Sequence, residues 1–269
     1  MKKNNRLLGV ALVVGALLTA FPFFWMATSS LKPLTESVSA PPSILPHQPT
    51  FSNYVSLFRD QDFGTYLVNT IVVVAIDSAG VLLMAMAGYA FAKLAFRGKR
   101  LMFGLILATL MIPIQVTMIP TYLELNSVRL TNTLPGIALP TLVSAFGIFL
   151  FRQFMSTIPE DLLEAARLDG ASEARTFLSV VLPMSRPVLA VQAVLTFIAS
   201  WNSFLWPLVI ANDQSKYTLS VGLALLNQQQ FVNPGLQMAG AALMVLPILI
   251  LFVILQKQIV RGFVTSGLK

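Results

Sequence analysis

The 269-residue chain has no cysteine and one histidine, and only 11% of its residues are charged. Without cysteine there is no disulfide, iron–sulfur cluster or thiolate metal site, and a single imidazole, His47, cannot build a histidine metal site; it reads as an ordinary loop residue. Acidic side chains are scarcer than basic ones, 11 against 18, a net charge of +7. A basic balance can mark a nucleic-acid binder, but these cations are sparse and form no long basic face, which argues against that partner. No Gly-x-x-x-x-Gly-Lys-Ser/Thr segment is present, and Gly98-Lys99-Arg100 lacks both the preceding glycine and the following hydroxyl of a phosphate loop. No residue set for catalysis or for a bound metal emerges.

What is abundant is apolar. Hydrophobic residues make up 56% of the chain and the mean hydropathy is +0.76, outside the soluble range. A hydrocarbon core of ~30 Å needs ~20 mostly apolar residues in a helix, because backbone groups in lipid must bond within their own segment. Six stretches qualify: Leu7–Thr28, Tyr66–Ala92, Leu101–Tyr122, Leu134–Phe151, Val188–Ala211 and Met238–Gln256. The expected fold class is all-α, a polytopic membrane bundle of six transmembrane helices. The first stretch follows Lys2, Lys3 and Arg6, and Ala27-Thr28-Ser29 offers a small-x-small cleavage site. Its apolar run is longer than the ~7 to 15 residues of a signal core, however, and it ends in Phe21, Phe23, Phe24 and Trp25, so it reads as a retained anchor. With a cytoplasmic N-terminus, all but four of the 18 Lys and Arg fall inside; Lys32, Arg59, Arg129 and Lys216 lie outside, in segments that are together longer. Both termini are therefore expected in the cytoplasm, residues 1–6 and 257–269, around a membrane domain over 7–256 in the inner (plasma) membrane.

Polar groups within spans mark candidate path residues. Asp77 is the one acid well inside a span, where an unpaired carboxylate costs ~3 kcal/mol, so it should face the bundle or a cavity. Gln192, Trp201, Asn202, Ser203 and Trp206 combine hydrogen-bonding groups with flat apolar surfaces that suit sugar rings; an interfacial aromatic belt with interhelical hydrogen bonds explains them equally well. Pro113, Pro120, Pro140, Pro207 and Pro247 predict kinked or broken helices, as hinges or as ordinary membrane-helix prolines. Gly80, Ala87 and Gly88 allow close helix contact.

The cytoplasmic loop at 152–187 carries the most information. Pro159 suits the first position of a helix, Glu160 and Asp161 its positive end, and Gly170 a stop after Leu162–Asp169. Leu163, Ala166 and Arg167, with Leu162 and Ala165, give a small apolar face bounded by charge, suited to another protein's groove, to the headgroups or to its own bundle. Ser172 can cap a second short helix from Glu173 toward Phe177. These residues resemble the loop signature of binding-protein-dependent ABC transporter permeases: Glu-Ala-Ala, three residues, Gly, nine residues, Ile-x-Leu-Pro. Glu164, Ala165, Ala166, Gly170, Leu182 and Pro183 fall in register, and Val180 replaces isoleucine conservatively.

Similarity to the maltose-type carbohydrate branch extends along most of the chain, through PFFWMATSSLKP, PTFSNYVSLF, AGYAFAKLAFRGKRL, MIPIQVTMIPTYLELNSVRLTNTLPGIALP and SWNSFLWPLVI. The resemblance implies a MetI-like ABC importer permease fold with a coupling helix that docks on an ATPase subunit. By carry-over, Glu164 makes a polar contact with the ATPase, Ala165 and Ala166 permit close approach, and Gly170 turns the chain. The chain itself would be no enzyme and hold no cofactor; ATP and magnesium would sit in two partner ATPase subunits. A second homologous permease subunit and an extracytoplasmic solute-binding protein complete the expected partners, with membrane lipid around them. Asn227, Gln228, Gln229 and Gln230 of the 212–237 outer loop would touch the binding protein, or serve as a polar connector. The implied cargo is a sugar, oligosaccharide or glycerol-phosphate-like solute, with peptide or phosphate import as the alternative within the superfamily. An ion-coupled carrier fits less well, since such carriers place several ionisable groups or symmetry-related broken helices near the midplane.

Overall fold

The computed structural model describes residues 2–226 and 233–266, and every regular element among them is helical. In chain order these are α1 (Lys2–Ser30), α2 (Leu34–Ser37), α3 (Ser52–Asp60), α4 (Phe63–Lys93), α5 (Lys99–Thr109), α6 (Ile114–Ser127), α7 (Leu134–Ala138) and α8 (Ala145–Ser156). They continue with α9 (Glu160–Leu168), α10 (Glu173–Thr176), a π turn (Phe177–Val181), α11 (Leu182–Met184), α12 (Arg186–Trp201), α13 (Leu205–Ile210), a 3-10 turn (Gln214–Lys216), α14 (Leu219–Leu226) and α15 (Pro234–Ser266).

Leu8–Ser30 of α1, the whole of α4 and Pro234–Ile254 of α15 are each long and apolar enough to cross a bilayer alone. Two bent pairs qualify only as pairs: α5 with α6, at 104°, and Glu173–Met184 with α12, at 81°. This gives three to five candidate spans by length and composition. The expected third span bends where Pro113, in extended conformation, caps α6 and removes a backbone donor. The expected fourth, Leu134–Phe151, is not one helix. It is divided at Leu139–Ser144, because Thr133 and Ser144 each start a helix by accepting from the backbone N–H of Gly136 (3.1 Å) and Gly147 (3.0 Å). The fifth breaks at Asn202–Phe204 between α12 and α13. Pro120 and Pro247 lie inside continuous helices.

The chain forms two units, 1–66 with 219–249 and 67–218 with 250–269. In the first, α1 presents apolar side chains all round, with Leu12, Leu17 and Leu18 about two-thirds exposed (66%, 67% and 70%), as expected of a helix whose solvent is lipid or a partner. Among the described residues, its side-chain bonds to the rest of the unit gather at its C-terminal end. The Asn53 amide donates to the carbonyls of Ser30 (2.9 Å) and Lys32 (2.8 Å), and the Tyr54 hydroxyl donates to Ser30 Oγ (2.8 Å). Lys32 is buried, its ammonium donating to the Ser43 carbonyl and lying 4.6 Å from the Trp25 ring centre. Glu36 accepts from Ser43 Oγ (2.7 Å) and from the His47 backbone (3.0 Å), with the His47 ring 2.9 Å away. These bonds, Ser43's first, pull the Glu36 carboxyl down to about 2. His47 is thus a fastener of this strap rather than a free loop residue.

In the second unit α4 is the spine. Its small residues let the backbone of the following elements approach: a Cβ added at Gly80 would collide with the Leu142 carbonyl, and one at Gly88 would lie 2.4 Å from the Phe151 Cβ. Around that crossing Met84, Ala85, Phe151, Met155 and Val181 are sealed from solvent. A second cluster joins Val73, Ile137, Trp206 and Ile210. The Asn69 amide donates to the Ser215 (2.8 Å) and Tyr217 (2.9 Å) carbonyls, and at the other end Lys99 Nζ donates to the Leu94 carbonyl (2.8 Å), closing the C-terminus of α4.

Gly88→Ala is expected to destabilise the purified protein by about 2 kcal/mol or more through overpacking, read as a lowered midpoint of thermal unfolding in detergent. Gly104→Ala, where an added Cβ meets nothing within 4 Å, should leave that midpoint unchanged or raise it.

Candidate functional site

The loop after α8 is built as the local sequence demands. Pro159 stands at the N-cap of α9, one residue before the expected position, with Glu160 and Asp161 in the first turn. The helix ends in a Schellman turn: the N–H of Ala171 bonds the Ala166 carbonyl (2.9 Å), that of Gly170 the Arg167 carbonyl (3.0 Å), and Gly170 takes φ +79°. Ser172 caps α10 as expected, accepting from Arg175 N at 3.3 Å. The π turn that follows was not legible. It accommodates Pro183, which has no N–H to offer, by bonding Leu182 N to the Phe177 carbonyl.

The two faces of α9 have different fates. Leu163 is fully buried in the core of its own bundle, together with Ile158, Phe177 and Val181. The face around Leu163 is therefore spent inward, not offered to a partner. Lys93 Nζ, at the end of α4, donates to the Ile158 carbonyl (2.6 Å) and to Glu160 (3.1 Å). Arg167 bridges Glu160 (3.6 Å) and Glu173 (3.0 Å), and the Tyr89 hydroxyl donates to Glu173 at 2.6 Å. The opposite face carries Asp161, Glu164, Ala165 and Leu168, all exposed, with Leu168 at 89%. Gly170 and Pro183 are also exposed, while Ala166 and Leu182 are half-buried.

A second site lies inside the unit. A cavity of about 310 Å³ is bounded by α4, the Leu139–Ser144 break, α8 and α12. Its lining includes Asp77, Thr141, Ser144, Gln192, Thr196 and Ser200. Thr141 Oγ1 donates to the Asp77 carboxylate (3.1 Å). The Gln192 amide donates to Thr196 Oγ1 (3.1 Å), and its Oε1 is buried with no protein partner. Gly147 has no room for a side chain, since a Cβ there would lie 2.2 Å from Met84 Sδ and 3.1 Å from the Gln192 amide. The site is thus a polar patch in an apolar wall, able to accept and donate hydrogen bonds to a hydroxylated ligand.

Of the four expected path residues, the structure brings Asp77 and Gln192 together and leaves Trp201 and Asn202 outside the lining. Trp201 is buried and stacks on Phe197 at 5.4 Å. The Asn202 amide is turned back on the Ile198 carbonyl (3.0 Å), closing the end of α12. Nor do Trp201 and Trp206 form a lipid-facing belt: both are buried, and the Trp206 indole donates to the Ile137 carbonyl at 3.0 Å. Thr141, Ser144, Thr196 and Ser200 are the lining groups that sequence reasoning missed. The last two had a signal, since Gln192, Thr196 and Ser200 recur every four residues on one helix face. Asn227, Gln228, Gln229 and Gln230 lie outside the described residues. Among the described residues no His, Asp or Glu cluster is arranged to hold a metal.

Comparison with known proteins bears out the resemblance. Residues 80–265 match the family described as "Binding-protein-dependent transport system inner membrane component". The chain is 32% identical to the arabinooligosaccharides transport system permease protein AraQ of Halalkalibacterium halodurans, covering 100% of this chain and 99% of that protein. It is 34% identical to the diacetylchitobiose uptake system permease protein NgcG of Streptomyces coelicolor, over 95% and 86%. It is 33% identical to the sn-glycerol-3-phosphate transport system permease protein UgpE of Yersinia pestis, over 96% and 95%. Its fold is similar, at TM-score 0.83 and 25% identity, to a chain of the crystal structure of a bacterial ABC transporter involved in the import of the acidic polysaccharide alginate, covering 95% of this chain and 96% of that one. With the spans, the Glu-Ala-Ala loop and these full-length matches in agreement, the chain belongs to the binding-protein-dependent inner membrane components, the permease subunits of ABC importers.

Proposed function

We propose that this permease forms part of the path for a neutral oligosaccharide, crosses the membrane six times with both termini in the cytoplasm, and is driven through α9 by a separate ATPase. The observation that carries the drive is the division of labour on α9. Its inner face is fixed by Leu163 and the Lys93–Glu160 pair, so the outer face of Glu164, Ala165 and Leu168, exposed among the described residues, is left to meet a cleft in a partner. Leu182 and Pro183, beyond the π turn, pass its displacement to α12. In this reading α7 and α8 together make the fourth pass, and 257–269 form a cytoplasmic tail. ATP and magnesium belong to two ATPase subunits, a second permease supplies the other wall of the path, and a solute-binding protein delivers the cargo. Asn227 to Gln230 are proposed as its contact.

The cargo class follows from the cavity. Its one charged lining group is Asp77, and its other polar groups are hydroxyls and an amide. Such a lining suits sugar hydroxyls, and it includes no Lys or Arg to pair with a phosphate or uronate anion. Asp77 and Gln192 are therefore assigned to the path. Trp201 and Asn202, first grouped with them, act on it by shaping the end of α12.

In proteoliposomes holding the full complex, Glu164→Ala and Gly170→Ala should each cut ATP-dependent solute uptake roughly tenfold, the scale of losing one charged contact at an interface or forcing a side chain into the left-handed region. The subunits should remain associated on co-purification. Unchanged uptake in both variants contradicts the assignment.

With labelled arabinotriose, diacetylchitobiose and glycerol 3-phosphate as probes, wild type should accumulate a neutral sugar in preference to the phosphate. Gln192→Ala should lower that uptake about tenfold while binding-protein-stimulated ATP hydrolysis persists, as expected for one hydrogen-bonding group in a buried site. Accumulation of glycerol 3-phosphate alone contradicts the cargo class.

A further inference from the structure

Two kinds of bond hold α9, and they have different reach. The pairs Glu160–Arg167 and Arg167–Glu173 join α9 to α10, within the loop itself. Among the described residues, Lys93 and Tyr89 are the α4 side chains that hydrogen-bond the loop, beside the packing of Leu163, Phe177 and Val181 on that helix. Lys93 grips the start of α9, through the Ile158 carbonyl and Glu160. Tyr89, 5% exposed, grips α10: its hydroxyl donates to Glu173 at 2.6 Å and its ring lies 5.3 Å from that of Phe177. Phe177 opens the π turn that leads to Leu182, Pro183 and α12. A push on α9 therefore reaches the transmembrane helices by way of α10. Without a hold on α10, the short α9–α10 hairpin can pivot about Leu163 and dissipate the motion.

We infer that Tyr89 and Glu173 form a latch, a positioning pair that locks α10 to α4 so that displacement of α9 moves the bundle. This rests on the reading of α9 as the helix driven by the ATPase. Exposed ion pairs such as Arg167–Glu173 are weak and screened by salt. The Tyr89 bond is of another class. It is short and runs from a buried ring to the exposed Glu173 carboxylate, and it carries the greater strength of a charge-assisted bond. One carboxylate, Glu173, accepts from both Tyr89 and Arg167, so the two halves of the loop are tied to α4 through one residue. The Tyr89 ring keeps its own packing whether or not the hydroxyl is present, which separates the latch from the fold.

The test uses the assembled complex in proteoliposomes, with whichever of labelled arabinotriose, diacetylchitobiose or glycerol 3-phosphate the wild type accumulates. Tyr89→Phe should leave ATP hydrolysis unchanged and lower solute imported per ATP roughly tenfold, while backbone amides of 173–176 exchange hydrogen about tenfold faster, the scale of one hydrogen bond to a charged group. Glu173→Gln keeps an acceptor for Tyr89 and should show a smaller loss, and it carries the test if Tyr89→Phe does not assemble. An import ratio within about twofold of wild type in both variants overturns the latch, whatever the exchange rates. Glu164→Ala measured alongside separates the two claims. If Glu164→Ala uncouples import and Tyr89→Phe does not, the latch alone is wrong. If neither variant has an effect, the driven-helix reading is wrong and the latch falls with it.

Discussion

A backbone amide or carbonyl left unpaired in hydrocarbon costs several kcal/mol, and the interruptions of helix at Leu110–Pro113, Leu139–Ser144 and Asn202–Phe204 come with substitute partners. At the Leu139–Ser144 break, Thr141 N and Leu142 N turn back on the Ala138 and Leu139 carbonyls, and Ser144 takes over as the cap of α8. At the Asn202–Phe204 break, the Asn202 amide returns to the Ile198 carbonyl, and the Ile137 carbonyl at the α7 turn is met by the Trp206 indole. Broken helices are permitted only where such partners exist, and at the exposed Leu110–Pro113 break Met111 N and Ile112 N likewise turn back on the Ala108 and Thr109 carbonyls. The cavity opens beside one of the breaks, because a chain that leaves the helix also leaves room.

Helix α4 organises the rest. Asp77 on one side of its length faces the cavity, and Tyr89 and Lys93 hold the loop; Asp77 and Tyr89 are twelve positions apart, a rise of about 18 Å at ~1.5 Å per residue. Between them Gly80 and Gly88 bring the α7–α8 segment against the α4 backbone. The same helix thus bounds the proposed path and carries the proposed drive. This explains why small residues, which add nothing to the apolar signal, are placed at its crossings. Packing of this kind transmits displacement because it has few voids to absorb it.

Much of this was legible in the sequence, for identifiable reasons. The positions of the long apolar helices α1, α4 and α15 follow from hydropathy, since lipid tolerates little else, and the punctuation of α9 by Pro159, Gly170 and Ser172 follows from backbone chemistry at helix ends. Asp77 and Gln192 were found because polarity inside a span is costly without a purpose. The continuity of the fourth span was not legible: Pro140 signals a disturbance, but the division depends on Thr133 and Ser144 acting as caps, a choice made by tertiary packing. That Asn202 stands outside the cavity lining was not legible, because a polar residue that closes a helix looks the same in sequence as one that lines a cavity. For the apolar face of α9 the sequence left three destinations open, and the structure takes the last of them, its own bundle. Leucine and alanine occupy both sides of that helix, and the burial of Leu163 with Phe177 and Val181, together with the reach of Lys93, decides which side is anchored.

The central claim is that the exposed side of α9 meets a cytoplasmic ATPase. Because the chain has no cysteine, Leu168→Cys gives a single thiol at a position of that helix that is 89% exposed, and Val38→Cys, in the strap after α1 and 60% exposed, gives a control on the side proposed to lie outside. Thiol cross-linking in membranes of the assembled importer should join Leu168→Cys to the ATPase subunit, with a yield that changes when ATP is added, and should never join Val38→Cys to it. No ATPase adduct from Leu168→Cys, or one that Val38→Cys forms equally well, would contradict the account.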